Sequence, residues 1–387
     1  MLRSFADKII YGSHKANQRY QTLNLIELNA AAVVANVKLL QRQHPGFSVM
    51  PVLKANAYGH GLSEMAKILN DASCEFLAVD GYFEAAKIRY ITKHRILVLG
   101  YIGSENVRLL DTKRCSFVVQ DIAGLEAFAR LNKSVKIHIE LNTGMNRLGL
   151  RQDEFKPYLK ILKKYSQLKL EGIMTHLADA DNPRDNSFTG AQVKLFDELV
   201  EKVKWTGFNP KVIHVAQTAG SAKVKSKYAN GLRLGIGLYG INPLNSNDGA
   251  YKELAGLQPV LALKSTIVKV INLKPGDKVS YNGIFTANQP TRIGVLPLGY
   301  YEGVPRELSN VGCATSENQI LPIVGRVCMN HTMIDLKNSR LNVGDSVTVI
   351  SANKSDSNSI QNIANNHNLF SYSLLTGLTS SVRRKIV

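Results

Sequence analysis

Apolar β-branched runs alternate with amphipathic stretches through the first two thirds of the chain, which is the signature of alternating strands and helices. Strands are predicted at Ser48–Lys54, Phe76–Asp80, Ile96–Tyr101, Ser116–Gln120, Val135–Asn142, Leu168–His176, Val212–Gln217 and Leu234–Tyr239. Helical periodicity lies between them at Leu62–Asn70, Tyr82–Ile88, Ile122–Leu131, Glu154–Tyr165 and Gln192–Lys204, with shorter helices near Glu105–Asp111 and Ala219–Tyr228. Eight strands separated by helices predict a parallel (β/α)8 barrel of the TIM type. A Rossmann sheet fits less well, because no G-x-G-x-x-G follows the first strand.

From about Pro259 the pattern changes to short strands divided by Gly, Pro and Asn turns: Leu261–Leu273, Lys278–Tyr281, Arg292–Pro297, Ile320–Gly325, Met329–Leu336 and Ser346–Ile350. One late helix is predicted at Ile360–His367. Asn-Pro and Asn-Ser-Asn-Asp-Gly interrupt Asn242–Gly256, so the expected division is a barrel with an N-terminal extension over 1–250 and a mostly β C-terminal domain over 251–387.

Composition narrows the function classes. With 44% hydrophobic and 20% charged residues in 387, the chain can bury a large core, which excludes disorder as its main state. No apolar run approaches the roughly 18 residues of a membrane span, and Met1–Tyr20 has no apolar core of an export signal, so a cytoplasmic protein is expected. The four cysteines, Cys74, Cys115, Cys313 and Cys328, are too scattered for a paired metal site or a disulfide framework, and no metal is expected. The net charge of +18 raises the prospect of an anionic partner. The basic residues are dispersed in ones and twos, which reads as a basic surface rather than a nucleic-acid stripe.

In a barrel of this type the chemistry sits at the C-terminal ends of the strands. Lys54 ends the first strand, in Pro51-Val52-Leu53-Lys54-Ala55-Asn56-Ala57-Tyr58-Gly59-His60-Gly61, where a desolvated amine is a candidate Schiff-base nucleophile. Period-two alternation along strand five sends Ile137, Ile139 and Leu141 toward the helices and His138, Glu140 and Asn142 toward the barrel axis, just before Arg147. His176, Thr218 and Arg233 follow at later strand ends, and the small residues after strands seven and eight expose N–H groups suited to a phosphate. Taken singly, Lys54 reads equally as a snorkelling lysine, His176 as a core histidine and Arg233 as an ion-pair partner.

In combination these residues resemble alanine racemase, a pyridoxal-phosphate enzyme family of fold type III. The motifs occur in order along nearly the whole chain: Val-Leu-Lys-Ala-Asn-Ala-Tyr-Gly-His-Gly at Lys54, Thr143-Gly144-Met145-x-Arg147-Leu148-Gly149, Arg233-x-Gly235-Ile236-x-Leu238-Tyr239-Gly240, Ser280-Tyr281-Asn282, Leu296-Pro297-Leu298-Gly299-Tyr300 and Gly325-Arg326-Val327-Cys328-Met329. The resemblance implies interconversion of L- and D-alanine for cell-wall peptidoglycan by a homodimer with shared active sites. Lys54 would hold pyridoxal 5'-phosphate and act as one base, and Tyr281 of the other subunit would be the second base on the opposite face. It also implies that Arg233 faces the pyridine nitrogen with His176 in support. Tyr58, Thr218, Gly235, Ile236 and Tyr372 would hold the phosphate, Arg147 the phenolic oxygen and the Met329 backbone the substrate carboxylate.

Two departures from the family pattern stand out. Glu140 occupies the place of a lysine that is often carbamylated, and is expected to contact Arg147 directly. Asn330 replaces an aspartate beside the substrate carboxylate, which bears on substrate range. The competing readings are a broader amino-acid racemase for serine or lysine, a fold-type III decarboxylase, a pyridoxal-phosphate barrel without turnover, and a nucleic-acid binder. The decarboxylase lacks support because no Gly-Gly-Gly loop or Cys-Glu motif is present.

Overall fold

The computed structural model describes residues 21–317 and 319–387. The predicted N-terminal extension, Met1–Tyr20, lies outside the described residues. Contacts divide the described residues into two compact units, one formed by 28–261 with 352–380 and 386–387, the other by 21–27, 262–351 and 381–385.

The first unit is built on eight parallel strands: β2 (Ser48–Pro51), β3 (Phe76–Val79), β4 (Arg95–Val98), β5 (Cys115–Val119), β6 (Val135–Glu140), β7 (Leu168–Met174), β8 (Val212–His214) and β9 (Gly231–Leu234). They pair in the order β2-β9-β8-β7-β6-β5-β4-β3. The ends of this series meet through one parallel bridge, Val52 to Ala78, where the Leu53 N–H donates to the Ala78 carbonyl at 2.7 Å. The sheet is therefore a nearly closed barrel with the predicted topology. Tyr82–Ile88 and Ile360–His367 are helices with the predicted bounds, and Gln192–Lys204 is the greater part of a longer helix, Ser187–Trp205.

The eighth strand departs from expectation. Leu234–Tyr239 is not a strand: β9 ends at Leu234, and Ile236–Tyr239 is a 3-10 turn. Within the turn a Cβ at position 237 would lie 2.6 Å from Thr218 Cγ2, so glycine there permits the close packing. The chain there leaves the sheet and turns its N–H groups over the strand end. Arg233 consequently sits inside β9, paired in register with Met50.

Helix α1 (Ala30–Gln43) was not among the predicted elements, although Val33, Val37 and Leu40 at helical spacing and the Asn29 N-cap announce it. Asn29 Oδ1 accepts from the Ala32 N–H at 3.0 Å. On its buried face Asn36 fastens two loops. Its amide donates to the carbonyls of Leu238 (3.1 Å) and Gln258 (2.8 Å), and its oxygen accepts from the Gln258 N–H (2.8 Å).

The second unit is mostly β, as predicted. A six-stranded sheet runs β16-β15-β18-β10-β1-β19, and a three-stranded sheet runs β11-β14-β17. In the larger sheet β1 is Asn24–Leu28, β10 Leu261–Thr266, β15 Cys313–Ser316, β16 Gln319–Pro322, β18 Ser346–Ile350 and β19 Arg383–Ile386; in the smaller, β11 is Lys269–Leu273, β14 Thr291–Leu296 and β17 Thr332–Asp335. The expected single run Leu261–Leu273 is thus divided between two sheets. Alternate residues of β10, Leu261, Leu263 and Ser265, are buried, the period-two pattern of a strand with one face on a core.

Asn36→Leu preserves size but orphans two carbonyls and one N–H in the barrel unit. At about 1–3 kcal/mol for each unsatisfied group, the expected loss is at least ~3 kcal/mol, read as a lower urea midpoint with an unchanged m-value.

Candidate active site

At the C-terminal mouth of the barrel lies a cavity of about 340 Å³ lined by Lys54, Tyr58, Glu140, Arg147, His176, Gln217, Arg233 and Gly235, among others. Seven of the residues singled out from sequence meet here. The cavity is smaller than others on the surface, but it is the one at the barrel mouth where these residues meet.

Lys54 enters from the end of β2, half-buried. The next four residues, Ala55, Asn56, Ala57 and Tyr58, all have left-handed backbone angles, with φ between 49° and 55°. Such a conformation costs about 1–2 kcal/mol per non-glycine residue, so it persists only where its surroundings enforce it. Glu84 supplies one clamp, accepting from the Ala55 N–H at 2.8 Å and the Asp80 N–H at 2.9 Å. Asn56 supplies another through its side-chain oxygen, which accepts from the Leu62 N–H at 3.0 Å. The turn folds Tyr58 back beneath the cavity, against Tyr239 and Tyr372 with ring centroids 5.0 and 6.0 Å away. Burial pushes the Tyr58 phenol well above its ordinary range and that of Tyr372 up to about 12, so both remain O–H donors.

Arg233 is 3% exposed and carries the densest hydrogen bonding in the site. One terminal nitrogen donates to His214 Nδ1 (2.9 Å) and the His214 carbonyl (3.0 Å). The other donates to the carbonyls of Thr175 (2.8 Å) and Val215 (2.9 Å) and to His176 Nδ1 (3.2 Å). Burial lowers its pKa to about 10, with Glu140 opposing and Arg147 adding to the fall, so it stays cationic at neutral pH. His176 goes down to about 3, from burial first and then the charges of Arg233, Arg147 and Lys54. It is therefore a neutral acceptor for the guanidinium.

Glu140 is 6% exposed, and burial raises its pKa while Arg233 and Arg147 pull it back. The direct Glu140–Arg147 contact expected from sequence is not made: among the described residues no ion pair joins them within 4.0 Å. Arg147 sits on an exposed loop after β6, and the two charges act on each other through the cavity they both line.

Beside Arg233 the chain forms an anion cradle. A Cβ on Gly235 would lie 3.3 Å from the Tyr58 hydroxyl, and the Gly237 N–H donates to Thr218 Oγ1 at 3.1 Å. Hydroxyls and N–H groups around a glycine-lined gap suit a phosphate group. Gln217 Oε1 is buried with no donor reaching it among the described residues, which leaves an acceptor available to a bound molecule. An anion cradle, a buried guanidinium and a primary amine around one cavity fit the phosphate, the ring nitrogen and the aldehyde of pyridoxal phosphate.

Tyr281, Met329 and Asn330 belong to the other unit and are not in the lining of this cavity. Tyr281 follows Ser280, whose φ is 66°, and its side chain is 67% exposed; Met329 is 55% exposed. Asn330 donates to Glu302 Oε1 at 2.7 Å. His214, Gln217 and the carbonyls of Thr175 and Val215 did not stand out in the sequence. His214 could have done so as the polar end of an apolar strand; carbonyl partners leave no mark on residue identity.

The fold and site define a barrel enzyme with a lysine at its mouth and a separate β unit. Residues 28–243 match the alanine racemase N-terminal domain family and residues 260–386 the C-terminal domain family. The chain is 32% identical to an alanine racemase of Staphylococcus saprophyticus, over 95% of this chain and 96% of that one. It is likewise 32% identical to one of Methanococcus maripaludis, over 92% and 97%. The solved alanine racemase of Bacillus anthracis with bound L-Ala-P superimposes with a TM-score of 0.86 at 28% identity, covering 95% of this chain and 96% of that one. That of Bartonella henselae with covalently bound pyridoxal phosphate shares the fold, with a TM-score of 0.82 at 23% identity, over 95% and 100%. The chain belongs to the alanine racemase family.

The buried histidines set the pH dependence of stability. His138, His176 and His214 are held neutral in the fold, largely by burial, whereas free histidine titrates near 6.5. Below that pH the unfolded chain binds more protons, so stability falls as pH falls, by up to ~1.4 kcal/mol per unit for each histidine. Glu140, with its raised pKa, works in the opposite direction. Urea midpoints are expected to be flat above pH ~7 and to fall steeply from ~6.5 downward.

Proposed function

We propose that this protein racemises alanine with pyridoxal 5'-phosphate, using Lys54 and Tyr281 as opposed bases. The observation that carries the reading is the convergence of the Lys54 amine and the buried Arg233 guanidinium on one cavity beside an anion cradle, in a chain of this family. Bound through Lys54, the cofactor supplies a conjugated electron sink that acidifies the substrate Cα–H. Lys54 Nζ removes or returns the proton on one face of Cα and Tyr281 Oη does so on the other, which is what inversion of configuration requires. Arg233 spends its terminal nitrogens on the protein, which leaves Nε–H as the donor that would serve the ring nitrogen of a bound cofactor. A guanidinium gives up no proton at working pH, so it would leave the ring nitrogen unprotonated and the electron sink weak. That favours prompt reprotonation over side reactions.

Tyr58, Thr218, Tyr372 and the Gly235 and Ile236 N–H groups bind the phosphate, Arg147 the phenolic oxygen and the Met329 backbone the substrate carboxylate. His176 accepts from Arg233 and fixes its orientation. Glu140 supplies the negative charge near Arg147 without carbon dioxide, and Asn330 bears on substrate range through its neutral amide. The working form is a homodimer in which Tyr281 and Met329 serve the partner's barrel. In support, both are exposed in their own unit, beside a largely apolar groove of about 580 Å³ that includes Tyr281, Ile271, Val295 and Met333. Among the described residues no helix is long and apolar enough to cross a membrane. On its family membership we place it in the cytoplasm, supplying D-alanine for peptidoglycan.

Lys54→Ala is expected to lower racemisation by at least ~10³-fold, and Tyr281→Phe to fall strongly in one or both directions, measured by chiral chromatography. Unfolding and refolding the two variants together restores about a quarter of wild-type activity if the site is shared, because hybrid dimers carry one intact site. No recovery counts against a shared site. Initial rates with serine and lysine, compared with alanine, test the broader-racemase alternative. Glu140→Ala is expected to lose about tenfold, and Glu140→Lys to be weak without bicarbonate; full activity in Glu140→Ala would remove the role given to this carboxylate.

A further inference from the structure

Below Arg233, on the side away from the cavity, a line of buried polar groups descends the bore of the barrel. His214 Nε2 lies 2.9 Å from His138 Nδ1, and His138 Nε2 lies 3.4 Å from Glu171 Oε2. Both histidines are 0% exposed. Glu171 Oε2 also accepts from Ser116 Oγ (2.6 Å) and Arg95 (2.9 Å), and Arg95 donates to Oε1 at 2.6 Å. Lys136 stands 3.8 Å from the same carboxylate. Arg95 begins β4, and Ser116 and Lys136 are the second residues of β5 and β6, so the line ends at the opposite mouth of the barrel from Lys54.

The line has one possible direction. Arginine has only donors, so His214 Nδ1 must accept from it. Burial, with the charge of Arg233 and the presence of His138, keeps His214 neutral, which leaves its single proton on Nε2. Nε2 then donates to His138 Nδ1. His138, also kept neutral chiefly by burial, must carry its proton on Nε2 and give it to an acceptor. Glu171 is that acceptor. Burial alone would raise its pKa, but the hydrogen bonds from His138, Arg95 and Ser116 outweigh this and hold the carboxyl far below its usual range.

The backbone is shaped around this line. The β6–β7 register shifts between Ile137 and His138, so Leu170 faces Ile137 and Gly172 faces His138, with Glu171 the extra residue of a bulge. A Cβ on Gly172 would lie 2.2 Å from His138 Nδ1, so only glycine leaves room for the imidazole.

We propose that Arg233 is oriented by a one-way chain of hydrogen bonds, Arg233 to His214 to His138 to Glu171, and that Glu171 is a positioning residue of the active site although it lies at the far end of the barrel. Each donation strengthens the next acceptor, so the carboxylate partly balances the buried guanidinium and limits how strongly Arg233 Nε–H pulls on a ring facing it. This rests on the racemase reading for its catalytic consequence but not for its hydrogen-bond geometry.

The test uses the holoenzyme labelled with 15N-histidine. Long-range 1H–15N correlation at neutral pH is expected to show His138 and His214 each protonated at Nε2 alone; a proton on Nδ1 of either would overturn the chain. Glu171→Gln is expected to lower kcat by about 10-fold with the KM for alanine within ~2-fold, and to shift the visible band of the bound cofactor, the scale seen when the outer partner of an oriented histidine is lost. Unchanged kcat and spectrum would overturn the positioning role. Lys136→Ala, which removes a half-exposed cation from the same carboxylate and leaves the chain intact, is expected to stay within ~2-fold of wild type. If Glu171→Gln does not fold, the tautomers of the unaltered protein still decide. If the protein does not racemise alanine, the functional reading fails while the tautomer measurement stands by itself.

Discussion

A guanidinium buried in the bore of a parallel barrel is the constraint around which this site is arranged. Removing a cation from water is costly unless its donors are satisfied and charge of the opposite sign is near. Arg233 meets the first condition with three carbonyls and two neutral imidazoles, and the second with Glu140 in the cavity. The histidines can serve only while uncharged, and the apolar walls that bury them guarantee this. The same burial therefore creates the problem of the guanidinium and shapes its solution.

Lys54 is held differently. Its strand ends in a left-handed turn of four residues, strain on the order of 4–8 kcal/mol in total, maintained by Glu84 and Asn56. Strain of this kind concentrates where function needs a geometry that relaxed backbone does not offer. Here the turn carries the amine at its start and brings the Tyr58 ring beneath the cavity at its end, so one short segment places both the amine and a buried phenol at the cavity.

The residues are partitioned according to what each can reach. Glu140 and Arg233 are strand residues fixed by the ladder, Lys54 opens the turn just after β2, and Arg147 and Gly235 are on loops that follow strands. Tyr281 and Met329 are in the β unit and face solvent there. In the proposed dimer this exposed tyrosine and methionine would serve the partner's site.

Periodicity along the chain determined the barrel, the β unit and the inward set His138 and Glu140, because alternation in a strand is a local property of covalent geometry. Lys54, His176 and Arg233 were legible as polar residues closing apolar strands, and the ordered motifs named the family. What the sequence could not contain was the end of β9 at Leu234, with Gly237 packed closely on Thr218 in the turn beyond it, or the failure of Glu140 to pair directly with Arg147. It likewise could not disclose that His214, His138 and Glu171 form one line. Those residues lie on β8, β6 and a bulge of β7, and hydrogen-bond direction between them exists only once the barrel has brought distant strands side by side.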